Sequence, residues 1–490
     1  MTSADRFREG LSFDDVLIKP AKSDVLPREV NVQSLFSRRV PLNVPIVSAG
    51  MDTVTEARLA IAIAQEGGIG VIHKNLTIDE QAAEVDRVKR SQAGIITQPF
   101  TLSPTHSVQD AEDLMARYHV SGVPITDDQN RLVGILTNRD LRFQDDYTVP
   151  ISAVMTKEGL VTVAPGTTFD EAKKLLHKHR IEKLPIVDKD GKLKGLLTIK
   201  DINKARDFPN SNNDALGRLR VAAAIGVTDE DLDRAKALVA VEVDALVIDT
   251  AHGHSAAVTR MLARVKEAFP DVDVVAGNII SADAASELIA AGADGVKVGV
   301  GPGSICTTRI VSGAGMPQLT AILDVASQAR EHQIPIIADG GIRYSGDITK
   351  ALAAGADSVM IGSLFAGTAE SPGDTVLFEG RTYKVYRGMG SIKAMQRGGK
   401  ARYRQYDVDQ ANKLVPEGVE GRVPFRGQLA ESIHQLVGGL RSGMGYVGAS
   451  TLTELRTRAE FIRMTASGMR ESHPHSITIT EEPPNYQVPR

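Results

Sequence analysis

Short apolar runs recur along the chain, each followed by a longer stretch with helical spacing. Residues 44–48 read VPIVS and residues 69–73 read IGVIH. Similar runs return at 221–225, 245–249, 272–276, 295–299, 334–339 and 358–362. Apolar runs this short, without polar alternation, mark strands buried on both faces. The stretches between them, beginning with 56–66 and 79–90, space apolar residues three and four apart and predict amphipathic helices. Eight alternating strand–helix units predict an α/β fold, a parallel sheet closed into a (β/α)8 TIM barrel. An open doubly wound sheet is the alternative topology.

Residues 92–208 interrupt this pattern between the second and third units. They contain a repeat at a constant offset of 61 residues: Gly134 opens GILTNRD and Gly195 opens GLLTIKD, while Val123-Pro124-Ile125 matches Leu184-Pro185-Ile186. Each copy, about 92–148 and 153–208, is expected to run strand, helix, strand, strand, helix, and neither has the apolar surface to fold alone. Residues 209–213, PNSNN, read as the return linker. The barrel is therefore expected in two parts, 1–91 and 209–490, around an inserted pair. The repeat resembles a tandem pair of CBS domains. That resemblance implies a regulatory purine nucleotide, with Asp140 and Asp201, the closing residue of each copy, at the ribose. A purely packing or oligomerisation module is the alternative.

Composition narrows the function classes. The chain has 490 residues, too many for one ordinary core. Its net charge of −4 and lack of tryptophan argue against nucleic acid as a partner. No apolar run is long enough to span a bilayer, and the first residues, MTSADRFREG, lack a signal peptide's apolar core. A single cysteine excludes an internal disulfide framework and suits a reducing, cytoplasmic setting.

The candidate chemistry sits after the later strands. Residues 299–309 read GVGPGSICTTR and follow the sixth strand, at the end of the barrel where active sites lie. Cys306 is set on this loop among Gly, Ser and Thr, which suits a nucleophile better than a buried packing residue. Asp339-Gly340-Gly341 ends the seventh strand, and Gly362-Ser363 ends the eighth. Loops after these two strands form the usual phosphate site of the fold, and their bare backbone N–H groups can cradle an anion. Asp339 suits a ribose diol; the plainer reading of these glycines is tight turns alone. Tyr386-Arg387-Gly388-Met389-Gly390 adds another glycine-rich segment. No GxGxxG follows a strand in a Rossmann setting. His252 and His254 lie two apart, which does not suit a divalent metal on one helix face.

Taken together, GPGSICTTR, DGGIRYSGD, GSLFAGT, YRGMGS and PEGVEGRVP resemble the IMP dehydrogenase / GMP reductase family, over nearly the whole chain from FDDVLIKP at Phe13 to ESHPH. The resemblance implies NAD-dependent oxidation of IMP to XMP, the committed step of guanine nucleotide synthesis. Cys306 would add to C2 of the purine, and the resulting thioimidate would be hydrolysed. It implies a mobile flap at about 385–425 whose Arg402-Tyr403, with Thr308, activates the water. An arginine is an odd base, so neighbours favouring its neutral form are implied. Without the resemblance Arg402 would read as a solvated surface charge. Substrate contacts are implied at Met51, Ser304, Asp339, Gly340, Gly341, Gly362, Ser363, Tyr386, Arg387, Gly388, Met389, Gly390 and Glu417. Asp249, Asn278, Gly299, Val300, Gly301 and Arg309 are implied for NAD. A K+ ion is implied on the carbonyls of Gly301, Gly303 and Cys306, with Glu471, Ser472 and His473 from a neighbouring subunit. Shared ligands of that kind imply a homotetramer, which paired CBS modules can join into an octamer. In the SAGMDTVTE motif, Gly50 stands where the family commonly has a second Ala.

Three rivals remain open. The sister activity, GMP reductase, converts GMP and NADPH to IMP and ammonia and has no need of the Arg-Tyr pair. A flavin-dependent barrel oxidoreductase would place its phosphate in similar loops. A nucleotide sensor with a dead barrel would not require Cys306, Thr308, Arg402 and Asp249 together.

Overall fold

Eight parallel strands close into a barrel: β1 (Ile46–Ser48), β2 (Ile69–Ile72), β3 (Val221–Ile225), β4 (Ala245–Asp249), β5 (Asp273–Ile279), β6 (Gly295–Val298), β7 (Ile336–Asp339) and β8 (Ser358–Ile361). Each pairs with its neighbours in sequence order, and β8 closes onto β1. The expected TIM barrel is what forms. The computed structural model describes residues 7–91, 99–118, 120–142, 144–199, 203, 206–403, 405 and 410–486. The chain divides into two compact units, one of Met1–Lys89, Asn210–Asn212 and Leu219–Arg490, the other of Arg90–Pro209 and Asn213–Arg218.

In the first unit, the two-residue period of the strands sorts side chains into two cores. Val47, Ile69, Val71, Ala222, Ala224, Ala245, Val247, Val275, Ile337 and Met360 point into the barrel. The alternate residues, such as Leu246, Ile248, Val296 and Ile336, pack outward under the helices. Those helices are α1 (Ala57–Gln65), α2 (Ile78–Ser91), α3 (Asp229–Ala240), α4 (Ala256–Ala268), α5 (Ala282–Ala290), α6 (Gln318–Ala329), α7 (Ser345–Ala354) and α8 (Leu429–Val447). A hairpin of Ser34–Ser37 and Val40–Leu42 brings Phe36, fully buried, to the inner core at the strands' N-terminal end.

Strand limits depart from expectation for local reasons. β1 and β7 begin directly after Pro45 and Pro335, two residues late, because proline has no N–H to give a ladder. β5 runs on to Ile279 across a register shift between Gly277 and Ile279. Between β8 and α8 an antiparallel sheet of Thr375–Phe378, Arg381–Arg387 and Glu420–Pro424 carries a long excursion, residues 388–419.

In the second unit two hairpins repeat at the offset of 61: Gly122–Thr126 with Leu132–Thr137, and Lys183–Val187 with Leu193–Thr198. Each packs a helix, Val108–Tyr118 or Phe169–His179, over its own apolar core. Among the described residues, the leading strand expected in each copy is reduced to a single bridge, Leu102 to Ile125 and Val163 to Ile186. Among the described residues no helix is long and apolar enough to cross a membrane.

Candidate active site

The strand period that builds the inner core also places charge at its C-terminal end. Counting by twos from Ala245 and Val247 reaches Asp249, and from Ile337 it reaches Asp339. Both carboxylates open into one pocket with Cys306. The same count on β6 carries Lys297 inward. Its ammonium lies 2.8 Å from Asp249 Oδ1 and 2.6 Å from Asp339 Oδ2, and it donates to Asn278 Oδ1. Asn278 Nδ2 donates to Gly299 O at 2.7 Å and Asp339 Oδ2 at 2.9 Å, tying the loop after β6 to the end of β7.

The cysteine loop is held from two sides. Gly340 and Gly341 have φ of +95° and +83°, and a Cβ on Gly340 would lie 2.9 Å from Pro302 Cγ. Only glycines let the turn after β7 rest against the cysteine loop this closely. On the other side Thr307 N–H donates to Glu417 O, Val419 N–H to Ile305 O, and Gly388 N–H to Val419 O, at 3.0, 3.0 and 2.9 Å. The Cys306 thiol, half-buried, donates to Thr308 Oγ1 at 3.1 Å.

The sequence-predicted residues fall into two groups. Met51, Ser304, Asp339, Gly340, Gly341, Gly362, Ser363, Tyr386, Gly388, Met389 and Glu417 line the pocket. So do Asp249, Asn278, Gly299, Val300, Gly301, Gly303, Cys306, Thr308, Arg402 and Tyr403. The Tyr386 phenol donates to Met51 Sδ at 3.7 Å, and burial pushes its titration upward. Arg387 and Gly390 do not line the pocket. The Arg387 guanidinium turns to Asp52, with Nη2 at 2.7 Å from Oδ2, and anchors the segment to the loop after β1. Arg309 likewise turns away. It donates to Val300 O at 3.1 Å and to Met316 O, bracing the cysteine loop from behind.

Glu471 ends the short helix Ala466–Glu471, and Ser472 donates to Gly468 O at 2.9 Å. His473 Nδ1 lies 2.9 Å from the Tyr486 hydroxyl. None of the three lines the pocket of its own chain. Asp140 accepts from Thr137 N and Oγ1 at 2.8 and 2.7 Å and from Thr156 Oγ1 at 3.1 Å, a capping role within its own copy. Asp201 lies outside the described residues.

Arg402 is the largest departure from a surface reading. It is ion-paired to Asp249, and its carbonyl accepts from Ala251 N–H at 3.2 Å. The neutral-favouring neighbours implied for it are not what surrounds it: a carboxylate does. Tyr403 beside it is raised in pKa by burial, against the pull of Arg402. The functional-site residue that sequence reasoning missed is Lys297. Its signal was a lysine in the otherwise apolar GVKV of β6, on the inward parity.

The comparisons with known proteins match this geometry. The family model described as the IMP dehydrogenase / GMP reductase domain matches residues 10–475. An inosine-5′-monophosphate dehydrogenase of Halalkalibacterium halodurans is 60% identical over 481 residues, covering 98% of this chain and 99% of that protein. Those of Bacillus subtilis and Aquifex aeolicus are 59% and 60% identical, covering 98% and 99% of this chain and equal shares of their own. Among solved structures, a GMP reductase variant from Trypanosoma brucei in complex with guanosine 5′-monophosphate matches with a TM-score of 0.87 at 42% identity, covering 98% of this chain and 100% of that one. A likeness that runs through both units and nearly end to end leaves one assignment: the chain belongs to the IMP dehydrogenase / GMP reductase family.

Proposed function

We propose that the protein oxidises IMP to XMP with NAD, through a covalent adduct on Cys306. The observation that carries this reading is that Arg402 and Tyr403 reach the pocket of Cys306 and that Arg402 pairs with Asp249. A dehydrogenase must deliver water to its adduct, and a reductase has no such need.

IMP would lie with its phosphate on the backbone N–H groups of the turns at Gly340-Gly341 and Gly362-Ser363. Its ribose diol would rest on Asp339, and its base against Met51, Met389 and Glu417. The Cys306 sulfur then adds to C2, and C2 gives up a hydride. The C2–S bond becomes part of a thioimidate, and one hard step is split into two. NAD, when bound, takes the hydride. Asp249 suits a ribose hydroxyl of NAD through Oδ2, since its Oδ1 lies 2.8 Å from the Lys297 ammonium and Oδ2 faces the exchangeable partner. Asn278 and the 299–301 backbone would flank it. In the second half-reaction water adds to C2, its proton passes by way of Tyr403 and Thr308 to the ion pair of Arg402 with Asp249, and the C2–S bond breaks to return the thiolate. Asp249 cannot hold Arg402 and the ribose at once, so the flap and the dinucleotide take turns.

The loop at 299–309 has no acidic residue and offers backbone carbonyls, a donor set suited to a monovalent cation. Gly301, Gly303 and Cys306 would hold K+ there and so set the loop's shape, with Glu471, Ser472 and His473 of a neighbouring copy in a tetramer. The inserted pair reads as CBS modules for a purine nucleotide, and the setting as cytoplasmic.

Absorbance at 340 nm tests the reading with purified protein and K+ in two cuvettes. A rise with IMP and NAD, and no change with GMP and NADPH, is the expected outcome. A fall in the second with silence in the first makes the protein a GMP reductase.

A further inference from the structure

Lys297 is 1% exposed and ranks among the largest fully buried side chains of the described residues. Burying an ammonium is costly unless its donors are all used. Here it is compensated: Lys297 donates to Asp339 Oδ2 and Asn278 Oδ1, and it is ion-paired with Asp249 Oδ1 at 2.8 Å. The reaction proposed above gives Lys297 no part. Its place is nevertheless telling, because its two carboxylate partners are the ones assigned to two different sugars. Asp339 Oδ2 takes Lys297 and Asn278 Nδ2, which leaves Oδ1 for the pocket. Asp249 Oδ2 takes Arg402.

Counting charges separates the roles of the two cations. Asp249 and Asp339 carry two negative charges at the inner end of the pocket. Lys297, on a barrel strand, balances one of them permanently. Arg402, on the excursion from the small sheet, balances the other only while it is in place. Without Lys297 two buried carboxylates would face each other, and neither could stay ionised and correctly aimed without penalty.

We propose that Lys297 is a positioning residue: it holds Asp339 and Asp249 as aimed acceptors for the two ribose rings, and it thereby couples substrate affinity to the charge on the dinucleotide's carboxylate. This rests on the reading of those two residues as sugar-binding groups.

The test is calorimetric titration of IMP, without dinucleotide, into the full-length wild type, Lys297→Met, Asp249→Asn and the double variant Lys297→Met/Asp249→Asn. Lys297→Met leaves Asp249 and Asp339 with Arg402 as their one cation and should weaken IMP binding by about tenfold or more. The double variant restores the original net charge and should return to within about threefold of wild type, although Asp249 is not a substrate contact. A packing role for Lys297 predicts no such rescue. Wild-type affinity in Lys297→Met, or a double variant as weak as the single one, overturns the proposal. If Lys297→Met does not fold, the comparison of Asp249→Asn with the double variant decides. Under the proposal they differ by less than about threefold, and a loss of about tenfold refutes it. Wild type that binds IMP while the variants fail these expectations removes the role of Lys297 alone. Wild type that does not bind IMP removes the reading of the site, and this proposal with it.

Discussion

Gly390 supports the flap without lining the pocket, which makes it a probe of flap closure alone. It is buried, and its φ is not in the left-handed region, so alanine fits the backbone. Space is the obstacle. A Cβ at Gly390 would lie 2.6 Å from Tyr403 Cζ, 2.8 Å from its Oη and 3.0 Å from Cε1. Ordinary carbon contacts lie at about 3.5–4.0 Å, so the methyl overlaps the ring by roughly 1 Å. Overpacking of that kind costs about 1–3 kcal/mol. Because Tyr403 belongs to the flap, the cost falls on the closed state and is relieved on opening. At about 1.4 kcal/mol per tenfold, closure becomes roughly 5- to 150-fold less favourable. Rapid mixing of Gly390→Ala with IMP and NAD, followed at 340 nm, separates the two half-reactions. The first-turnover burst of reduced cofactor should keep its rate within about twofold, since adduct formation does not use Arg402 or Tyr403. The steady-state rate, set by hydrolysis, should fall within the stated range. Adding Tyr403→Ala removes the clashing ring, so the double variant should be no slower than Tyr403→Ala alone. Equal slowing of burst and steady state, or of neither, would refute the reasoning.

Three further outcomes are expected. Cys306→Ala should lose turnover and keep IMP binding by calorimetry; residual full activity would remove the covalent step. The Asp231 carboxyl is pushed up by burial, but the nearby Lys74 ammonium and the Thr228 and Gly226 donors outweigh this and hold it below its ordinary value. A depressed carboxyl stabilises the fold above its unfolded value and loses that contribution as pH falls through the folded one. Asp231→Asn should therefore cost about 1–3 kcal/mol at pH 7 and much less near pH 3; a gap in urea midpoints that does not narrow in acid contradicts the assignment. Replacing residues 92–208 with a short linker should leave catalysis in place, since Cys306, Thr308, Arg402 and Tyr403 belong to the other unit. A folded but inactive deletion would show that the unit they lie in is not sufficient.

The barrel was legible because its strands are buried on both faces and so read as unbroken apolar runs. Their starts were less legible: Pro45 and Pro335 sit inside apolar runs, yet each delays its strand. The end of β5 was missed because Gly277 and Asn278 interrupt the apolar pattern, while the backbone continues in the sheet. The glycine turns and Cys306 announced a site by residue type and position. Arg387 and Arg309 show the limit of such matching. Both belong to the right loops, but Asp52 and the carbonyls of Val300 and Met316 draw their guanidiniums away from the pocket. Arg402 could not be placed from local pattern, because its partner Asp249 lies far off in sequence and meets it only through the fold.

Lys297 joins these two levels. A lysine inside an apolar strand looks like an error of pattern until parity is counted, and parity then turns it to the same inner side of the barrel as Asp249 and Asp339. A one-residue slip of β6 would turn its charge out under the helices and leave Arg402 as the one cation facing both carboxylates. The alternation that closes the barrel therefore also fixes the charge at its mouth. On the proposed reading a fixed cation leaves Asp249 available to one exchangeable partner at a time. The order of the half-reactions then follows from competition for a single carboxylate, with no separate gate required.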